Sequence, residues 1–282
     1  MDKPALSKLD RPEILAAIFH PRKESRTPLP ASCSEFDVEI PDESVMIGCR
    51  FYLADAAASS IVYFHGNGET VVDYDAIAPF YLEAGLNILI AGYRGYGWST
   101  GEPSVTSLYR DGAVVLDTFR SHCQANGICE DIFVMGRSLG SAACIDMAYR
   151  TPEKMKGIII ESGFAYTLPL ANRLGYDPGA AGLEETDGFN NLAKIEEIKI
   201  PTLILHGADD QLIPLNDAVK LQAESGAKTK QLFVVPGADH NSLISRGGEI
   251  YFETIKTFTD TVTNRNTWRE RRRKFKSRKS GK

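Results

Sequence analysis

A serine stands between two glycines in the sequence Gly-Arg-Ser-Leu-Gly, residues 136–140. A short apolar run, residues 132–135, comes directly before it, and a run of small and apolar residues typical of a helix follows. Glycines let the backbone turn sharply between a strand and a helix, which pushes the serine hydroxyl out above the sheet. A glycine-rich turn with a helix-capping serine is the alternative interpretation. We predict that Ser138 is a nucleophile for carbonyl carbon.

A serine hydroxyl needs a neighbouring base, and the sequence offers five histidines. His240 lies in a loop just after the last predicted strand. Such loops at the carboxyl ends of parallel strands are where α/β proteins build their sites, so we predict His240 as the base. Of the other four, His20 precedes the sheet and His122 lies late on a charged helix. His65 and His206 end strands as His-Gly pairs.

The base in turn needs a carboxylate that fixes its tautomer and stabilises the imidazolium ion. Asp209 and Asp210 both follow the strand before His240, and we prefer Asp210. The order Ser138, Asp210, His240 is the order found in folds that place the nucleophile on a strand-to-helix turn. Glu161, which ends the strand after the nucleophile helix, is a second candidate for this role.

A tetrahedral oxyanion needs two N–H donors, and we predict the backbone amides of Leu139 and Asn67. Asn67 belongs to Phe-His-Gly-Asn-Gly, residues 64–68, at the end of an early predicted strand. The Gly-x-Gly within that segment could also indicate a dinucleotide-binding turn, but Val71 replaces the third glycine of that fingerprint. The sequence has neither a phosphate-binding Gly-x-x-x-x-Gly-Lys loop nor a metal-binding His-Glu-x-x-His helix, and we expect no cofactor.

The elements that must position these residues are short strands that alternate with helical periodicity, which predicts an α/β fold with a mainly parallel sheet. Residues 34–40 and 44–53 predict a β-hairpin. Apolar residues spaced by three and four predict helices over residues 108–123 and near residues 251–262. The predicted parallel strands are residues 60–64, 87–91, 132–135, 157–161, 202–206 and 231–235.

Three further segments complete the predicted organisation. Residues 1–33 precede the sheet as an N-terminal extension to a main domain of residues 34–263. Residues 164–192 are rich in proline and glycine, and we predict a small cap over the site. Residues 264–282 are predicted to be a disordered basic tail, because runs of like charge repel one another.

The charge balance separates that tail from the body of the protein. Residues 265–282 contain ten Lys or Arg and one Glu, so this segment carries +9, and residues 1–264 carry −14 of the total net charge of −5. The acidic body argues against nucleic-acid binding by the folded domain. The tail is a candidate for weak binding to an anionic partner such as RNA or an anionic membrane.

The overall composition is that of a globular protein. Of the 282 residues, 43% are hydrophobic and 24% are charged, which excludes fibres and disorder as descriptions of the whole chain. The longest apolar run, residues 14–19, is far shorter than the ~20 residues that span a bilayer. The five cysteines are scattered and form no Cys-x-x-Cys pair. With no secretory leader in the sequence, we expect a cytoplasmic protein.

Taken together, the motifs resemble those of the α/β-hydrolase family, in particular its serine-aminopeptidase-like and acyl-protein-thioesterase-like branch. The resemblance extends over residues 36–263 and includes Tyr-Arg-Gly-Tyr-Gly at residues 93–97 and the segment 206–214. It implies the α/β-hydrolase fold, with about eight strands and helices on both faces. It also implies that Ser138, Asp210 and His240 form a catalytic triad. We interpret Arg94 as a buried structural anchor.

The predicted function is that of a serine hydrolase, a carboxylesterase or thioesterase, which cleaves acyl esters through an acyl-enzyme intermediate. The predicted substrate is a small molecule with a small to medium acyl group. A non-catalytic binding or adaptor protein on the same scaffold is an alternative of another class. Within enzymes, an aminopeptidase or a carbon–carbon bond hydrolase is also compatible with the motifs, because a shared fold does not fix the substrate. The oligomeric state is left open by the sequence.

Overall fold

Strands and helices alternate within residues 7–265, the part of the chain that the computed structural model describes. The strands are β1 (Cys33–Glu35), β2 (Val38–Ile40), β3 (Val45–Ile47), β4 (Cys49–Tyr52), β5 (Ser60–Phe64), β6 (Asn87–Ala91), β7 (Ile132–Arg137), β8 (Gly157–Glu161), β9 (Thr202–Gly207) and β10 (Lys230–Val235). The helices are α1 (Pro12–Ile18), α2 (Ala78–Glu83), α3 (Val105–Ala125), α4 (Leu139–Arg150), α5 (Thr167–Arg173), α6 (Asn191–Glu197), α7 (Leu215–Glu224) and α8 (Leu243–Val262).

Eight of these strands form one sheet in the order β1-β4-β6-β5-β7-β8-β9-β10. The six strands from β6 to β10 in this order are parallel to one another. At one edge, β4 pairs with β6 and β1 pairs with β4, both antiparallel. The prediction of a mainly parallel sheet of about eight strands is confirmed, and each of the six predicted parallel strands is present.

The predicted hairpin of residues 34–40 and 44–53 is present, and one interruption divides it into two paired parts that share the same register. Strands β2 and β3 pair in a separate two-stranded sheet, whereas β1 and β4 pair within the main sheet. The interruption lies at Gly48, whose carbonyl accepts a hydrogen bond from the Gly92 amide at 3.1 Å. A Cβ atom at Gly48 would lie 2.2 Å from the Trp98 indole, so this packed bend requires glycine.

The central strands are buried on both faces, and their alternate side chains enter two different cores. In β5, Val62 and Phe64 enter the core that includes side chains of α3, α4, α6 and α7. Ile61 and Tyr63 enter the other core, with side chains of α2 and α8. Because successive side chains of a strand point to opposite faces, a strand covered on both sides needs a continuous apolar run. The prediction of helices on both faces is confirmed.

Helices α3 and α8 contain the two stretches that were predicted from apolar spacing. Helix α8 has a kink at Gly248, where φ is 52°. No helix within residues 7–265 is both long enough and apolar enough to cross a lipid bilayer.

Candidate active site

The predicted nucleophile lies at the sharp turn between β7 and α4. Ser138 has φ 52° and ψ −113°, a strained conformation for a residue with a side chain. The Ser138 amide donates a hydrogen bond to the Glu161 carbonyl at 2.9 Å, and the Ser141 hydroxyl donates to the Ser138 carbonyl at 2.6 Å. These contacts hold the strained turn in place.

The two glycines that flank Ser138 are required by close backbone contacts. A Cβ atom at Gly136 would lie 2.1 Å from the Gly140 carbonyl oxygen, and one at Gly140 would lie 2.1 Å from the Phe64 carbonyl oxygen. Both neighbours are backbone atoms, which have little freedom to move. The glycine spacing in the sequence therefore has a direct steric cause.

The structure brings the three predicted triad residues together. The Ser138 Oγ lies 3.0 Å from His240 Nε2, and His240 Nδ1 lies 2.8 Å from Asp210 Oδ2. Because a carboxylate only accepts hydrogen bonds, His240 carries its proton on Nδ1 and presents the lone pair of Nε2 to the serine hydroxyl. This is the tautomer that can remove the Ser138 proton.

Asp210 is fixed on both of its oxygens. Its Oδ1 accepts hydrogen bonds from the amides of Leu212 at 3.0 Å and Ile213 at 2.8 Å, which leaves Oδ2 directed at His240. The buried His206 donates from Nε2 to the Ile213 carbonyl at 2.8 Å. Burial lowers the pKa of His206, so it is neutral beside the carboxylate.

The other two candidate carboxylates lie elsewhere. Glu161 is buried and accepts hydrogen bonds from the hydroxyls of Tyr63 at 3.0 Å and Tyr251 at 2.8 Å. The Asp209 carboxylate has no hydrogen bond or ion pair to any residue within 7–265. Of the three acids, it is therefore Asp210 that is placed to orient His240.

The two residues predicted to supply oxyanion donors, Asn67 and Leu139, line the same pocket as Ser138. Among the described residues, neither backbone amide has an acceptor, so both are available to a ligand. The Asn67 side chain is occupied instead: its Oδ1 accepts from the His20 amide at 2.9 Å, and its Nδ2 donates to the Ile18 carbonyl at 2.7 Å. These bonds hold the backbone of the loop in position.

The dinucleotide-binding alternative does not fit this loop. The Gly66 amide donates to the Glu69 carboxylate at 2.7 Å, and Glu69 is also ion-paired with Arg137. The Gly66 amide, which a phosphate group would need as a donor, therefore already binds the Glu69 carboxylate. The negative charge of Glu69 would also repel a phosphate.

Sequence reasoning missed Arg137, the residue before the nucleophile. Its Nη2 donates to the His240 carbonyl at 2.8 Å and to Asn241 Oδ1 at 3.0 Å. The guanidinium also forms ion pairs with Glu69 and Glu161. Arg137 thus connects the serine turn to the histidine loop. The available signal was a charged residue within a turn surrounded by apolar strands.

The two carboxylates that flank Arg137 differ in their electrostatics. Burial raises the pKa of Glu161 more than the charge of Arg137 lowers it, so the pKa of Glu161 is above its ordinary value. For Glu69, burial also raises the pKa, but the charge of Arg137 and hydrogen bonds that include the Tyr74 hydroxyl outweigh it, and the pKa of Glu69 is lowered. Arg137 therefore outweighs the cost of burial at Glu69 but not at Glu161.

A narrow apolar cavity of about 80 Å³ opens beside Ser138. The predicted cap supplies much of its wall, with Leu168, Leu174, Tyr176 and Leu183 among the lining residues. The N-terminal extension supplies another part, which the sequence analysis did not anticipate: Leu9, Ile14, Ala17 and Ile18. The apolar run of residues 14–19 was the signal for this burial.

A second, wider cleft of about 760 Å³ borders His240 and Arg137. Its lining is mixed, with charged side chains beside the rings of Phe80 and Phe252. The two rings stack with their centroids 5.5 Å apart. The site thus has an apolar side next to the serine and a charged side next to the histidine.

The sequence was compared with models of known protein families. A family model described as serine aminopeptidase, S33, matches residues 55–174 and 184–246, which is more than half of the chain. The chain belongs to this family. The serine aminopeptidase match includes Ser138, Asp210 and His240, and the predicted membership of the α/β-hydrolases is confirmed.

Curated relatives of this serine aminopeptidase family member come from bacteria and eukaryotes. The Salmonella typhi protein YfhR is 26% identical over 87% of this chain and 88% of its own length. The Caenorhabditis elegans protein aho-3, named an alpha/beta hydrolase domain-containing protein, is 29% identical over 71% of this chain and 57% of its own length.

Solved structures show the same fold. The Pyrococcus furiosus esterase Pf2001 has a TM-score of 0.72 at 16% identity, over 87% of this chain and 98% of its own. A soluble variant of the Saccharomyces cerevisiae monoglyceride lipase has a TM-score of 0.62 at 17% identity, over 84% of this chain and 99% of its own.

Arg94 shows what the segment 93–97 does in this serine aminopeptidase family member. Its Nε and Nη2 bind both oxygens of Asp111 at 2.6 and 2.9 Å, and its Nη1 binds Glu43 at 2.6 Å. Arg94 is nearly buried and anchors helix α3, as the sequence analysis predicted.

Proposed function

We propose that the protein is a serine hydrolase that cleaves esters or thioesters of short to medium acyl groups. The observation that carries the proposal is the hydrogen-bonded series Ser138–His240–Asp210, which opens on an apolar cavity. Two structures with this fold are named an esterase and a monoglyceride lipase, which supports an ester as the substrate.

In the acylation step, Ser138 Oγ attacks the carbonyl carbon while His240 Nε2 takes the hydroxyl proton. Asp210 stabilises the resulting imidazolium, and the amides of Leu139 and Asn67 donate to the oxyanion. When the intermediate collapses, the bond to the leaving group breaks and His240 returns the proton to the departing oxygen or sulfur. The acyl group is left on Ser138.

Deacylation repeats these steps with water as the nucleophile. His240 takes a proton from the water as its oxygen attacks the acyl carbon, and it then gives that proton to Ser138 Oγ as the ester bond to the enzyme breaks. The carboxylic acid leaves, and the free serine is restored.

The cavity favours an ester over an N-terminal peptide. Among the described residues that line it, none carries a charge. An aminopeptidase must accommodate the free ammonium group of its substrate, and burying an unpaired charge in an apolar cavity is costly. An amino-acid anilide is accordingly expected to be a poor substrate relative to an alkanoyl ester.

The test is turnover of p-nitrophenyl esters, acyl thioesters and amino-acid anilides, with fluorophosphonate labelling. We expect ester turnover and labelling in the wild type, and loss of both in Ser138→Ala. Ser121→Ala, which changes an exposed serine of helix α3 that lines neither cavity, is the matched control and retains both. A wild type that neither labels nor turns over any ester would contradict the proposal and favour the adaptor alternative.

Several sequence predictions stay predictions. These are the cytoplasmic location, the absence of nucleic-acid binding by the folded domain and the anionic partner of the basic tail. Residues 266–282 of that tail lie outside the described residues.

A further inference from the structure

The N-terminal segment, residues 7–20, forms one wall of the cavity beside Ser138. We propose that this segment sets the length of acyl chain that the enzyme accepts, an inference that rests on the proposed function. The acyl group it would select is apolar and short, because the cavity is apolar and only about 80 Å³ in volume.

One face of helix α1 builds the wall. Ile14, Ala17 and Ile18 lie three and four residues apart, a spacing that places them on the same side of a helix. All three line the cavity together with Ser138, and Leu9 extends the wall before the helix. Ile14 and Leu9 are 2% and 1% exposed, so the wall is packed into the body of the protein.

The segment is tied to the cap on the other side of the cavity. Arg11 Nη2 donates to the Ala181 carbonyl at 3.2 Å, and Lys8 is ion-paired with Asp187 at 2.6 Å. The cap and the N-terminal segment therefore enclose the cavity as one connected wall.

The start of the segment is fixed to helix α3. Asp10 Oδ1 accepts a hydrogen bond from the Val105 amide at 2.7 Å, and its Oδ2 accepts from the Thr106 hydroxyl. A carboxylate at the N-terminus of a helix is stabilised by the free amides there.

The end of the segment is fixed to the loop that holds a predicted oxyanion donor. Asn67 bridges the Ile18 carbonyl and the His20 amide with its side chain, at 2.7 and 2.9 Å. The Tyr96 hydroxyl donates to Asn67 at 2.6 Å and supports this bridge. A wall held at both ends has a fixed distance from Ser138, which is what selection by chain length requires.

The wall lies outside the part of the chain that the family model matches. The N-terminal segment and residues 175–183, which include Tyr176 and Leu183 of the cavity, lie outside the residues that the family model matches. The matched part supplies the triad and some of the cavity lining, such as Leu168 and Leu174, and the N-terminal segment adds a wall that the family model does not cover.

Adjacent alanines of α1 provide a matched pair of variants. Ala17 lines the cavity, whereas Ala16 is exposed on the same helix. We expect Ala17→Phe to fill the cavity and lower kcat/KM for p-nitrophenyl butyrate relative to acetate by about tenfold or more. Ala16→Phe is expected to keep the wild-type ratio.

Ile14→Ala tests the effect of enlarging the cavity instead of filling it. Removing this buried side chain lengthens the cavity, so we expect kcat/KM for hexanoate relative to acetate to rise by about tenfold. Phe19→Ala removes a buried side chain of the same segment that does not line the cavity, and it should leave the ratio unchanged.

Fluorophosphonate labelling separates the two proposals. If the wild type and the variants label but Ala17→Phe and Ile14→Ala leave the chain-length ratios unchanged, the inference about the N-terminal segment is overturned and the proposed function stands. Equal shifts in Ala16→Phe and Ala17→Phe would overturn it as well. If the wild type neither labels nor hydrolyses esters, the proposed function itself fails.

Discussion

The hydrogen bonds of single side chains define the site at the scale of the residue. His240 can act as a base only because Asp210 accepts a hydrogen bond from the Nδ1–H group, which leaves the lone pair of Nε2 free to accept from Ser138. The direction of each bond follows from which group can donate and which can accept, so replacing an acceptor by a donor at one position should reverse the tautomer of His240.

The first prediction concerns the orienting acid. In Asp210→Asn, the amide can donate to His240 and favours the wrong tautomer, so we expect kcat for ester hydrolysis to fall by about 10⁴-fold. Asp209→Asn, the adjacent acid, is the matched control and should stay near wild type. Steady-state kinetics with p-nitrophenyl acetate measure both. An Asp210→Asn enzyme within tenfold of wild type would show that another acid orients His240.

The second prediction concerns Arg137, which positions the histidine loop. Arg137→Lys keeps the positive charge but loses the fork that reaches the His240 carbonyl and Asn241. We expect kcat to fall by about ten- to a hundredfold with KM nearly unchanged, because Arg137 does not line the apolar cavity.

Arg150→Lys is the control for that variant, since Arg150 is largely exposed and ion-paired with Asp146 away from the site. Its kinetics should match those of the wild type. Thermal melting of both variants reveals any loss of folded protein. A rise in KM without a fall in kcat would mean that Arg137 contacts substrate rather than positioning His240.

At the scale of the element, the turn between β7 and α4 depends on the absence of side chains. The third prediction is that Gly140→Ala lowers the free energy of unfolding by about 3 kcal/mol or more, because the new Cβ would meet the Phe64 carbonyl oxygen at 2.1 Å. Urea unfolding measures the change.

Gly112→Ala in the middle of α3 is the matched control. The nearest atom to a Cβ there is Met147 Sδ at 3.5 Å, an ordinary contact. Alanine is the better helix former, so this variant should gain up to about 1 kcal/mol. Equal effects of the two substitutions would contradict the steric explanation for Gly140.

Some secondary-structure elements could be predicted from the sequence and others could not. Strands such as β5 are covered on both faces, so their whole length is apolar and the pattern is visible in the sequence. The break between β3 and β4 was not visible, since it depends on contact between Gly48 and Trp98, which lie fifty residues apart. Contacts between distant residues leave no local pattern.

At the scale of the whole molecule, two buried histidines link stability to pH. Burial lowers the pKa of both His65 and His206 below the ordinary value of 6.5. Between 6.5 and the lowered values, the unfolded chain binds protons that the folded protein does not. The contribution of these two neutral histidines to the free energy of unfolding is therefore fully present above pH 6.5. It is lost as the pH falls through this window, by at most about 1.4 kcal/mol per pH unit for each histidine.

The fourth prediction is that His65→Asn combined with His206→Gln flattens this dependence. Asn and Gln can retain the donors that bind the Gly66 and Ile213 carbonyls. Urea unfolding of wild type and variant from pH 7 to pH 5 gives the slopes. Identical slopes would show that these histidines do not cause the loss of stability in acid.

The last described residue, Arg265, lies far from the site. Arg265 is ion-paired with Asp131, the residue before β7, at 2.9 Å. Ser138 follows the other end of that strand, and six residues of strand span about 20 Å. Arg265, the last described residue, is therefore about one strand length away from Ser138.

The sequence by itself determined the sheet, its parallel strands and the serine turn, because burial on both faces and the steric need for glycine each leave a local pattern. Only the tertiary structure decided that Asp210 faces His240, that Arg137 holds the histidine loop and that residues 7–20 close the cavity. The physical reason is that these contacts join side chains remote in the chain, and their distances exist only once the sheet has brought its strand ends together.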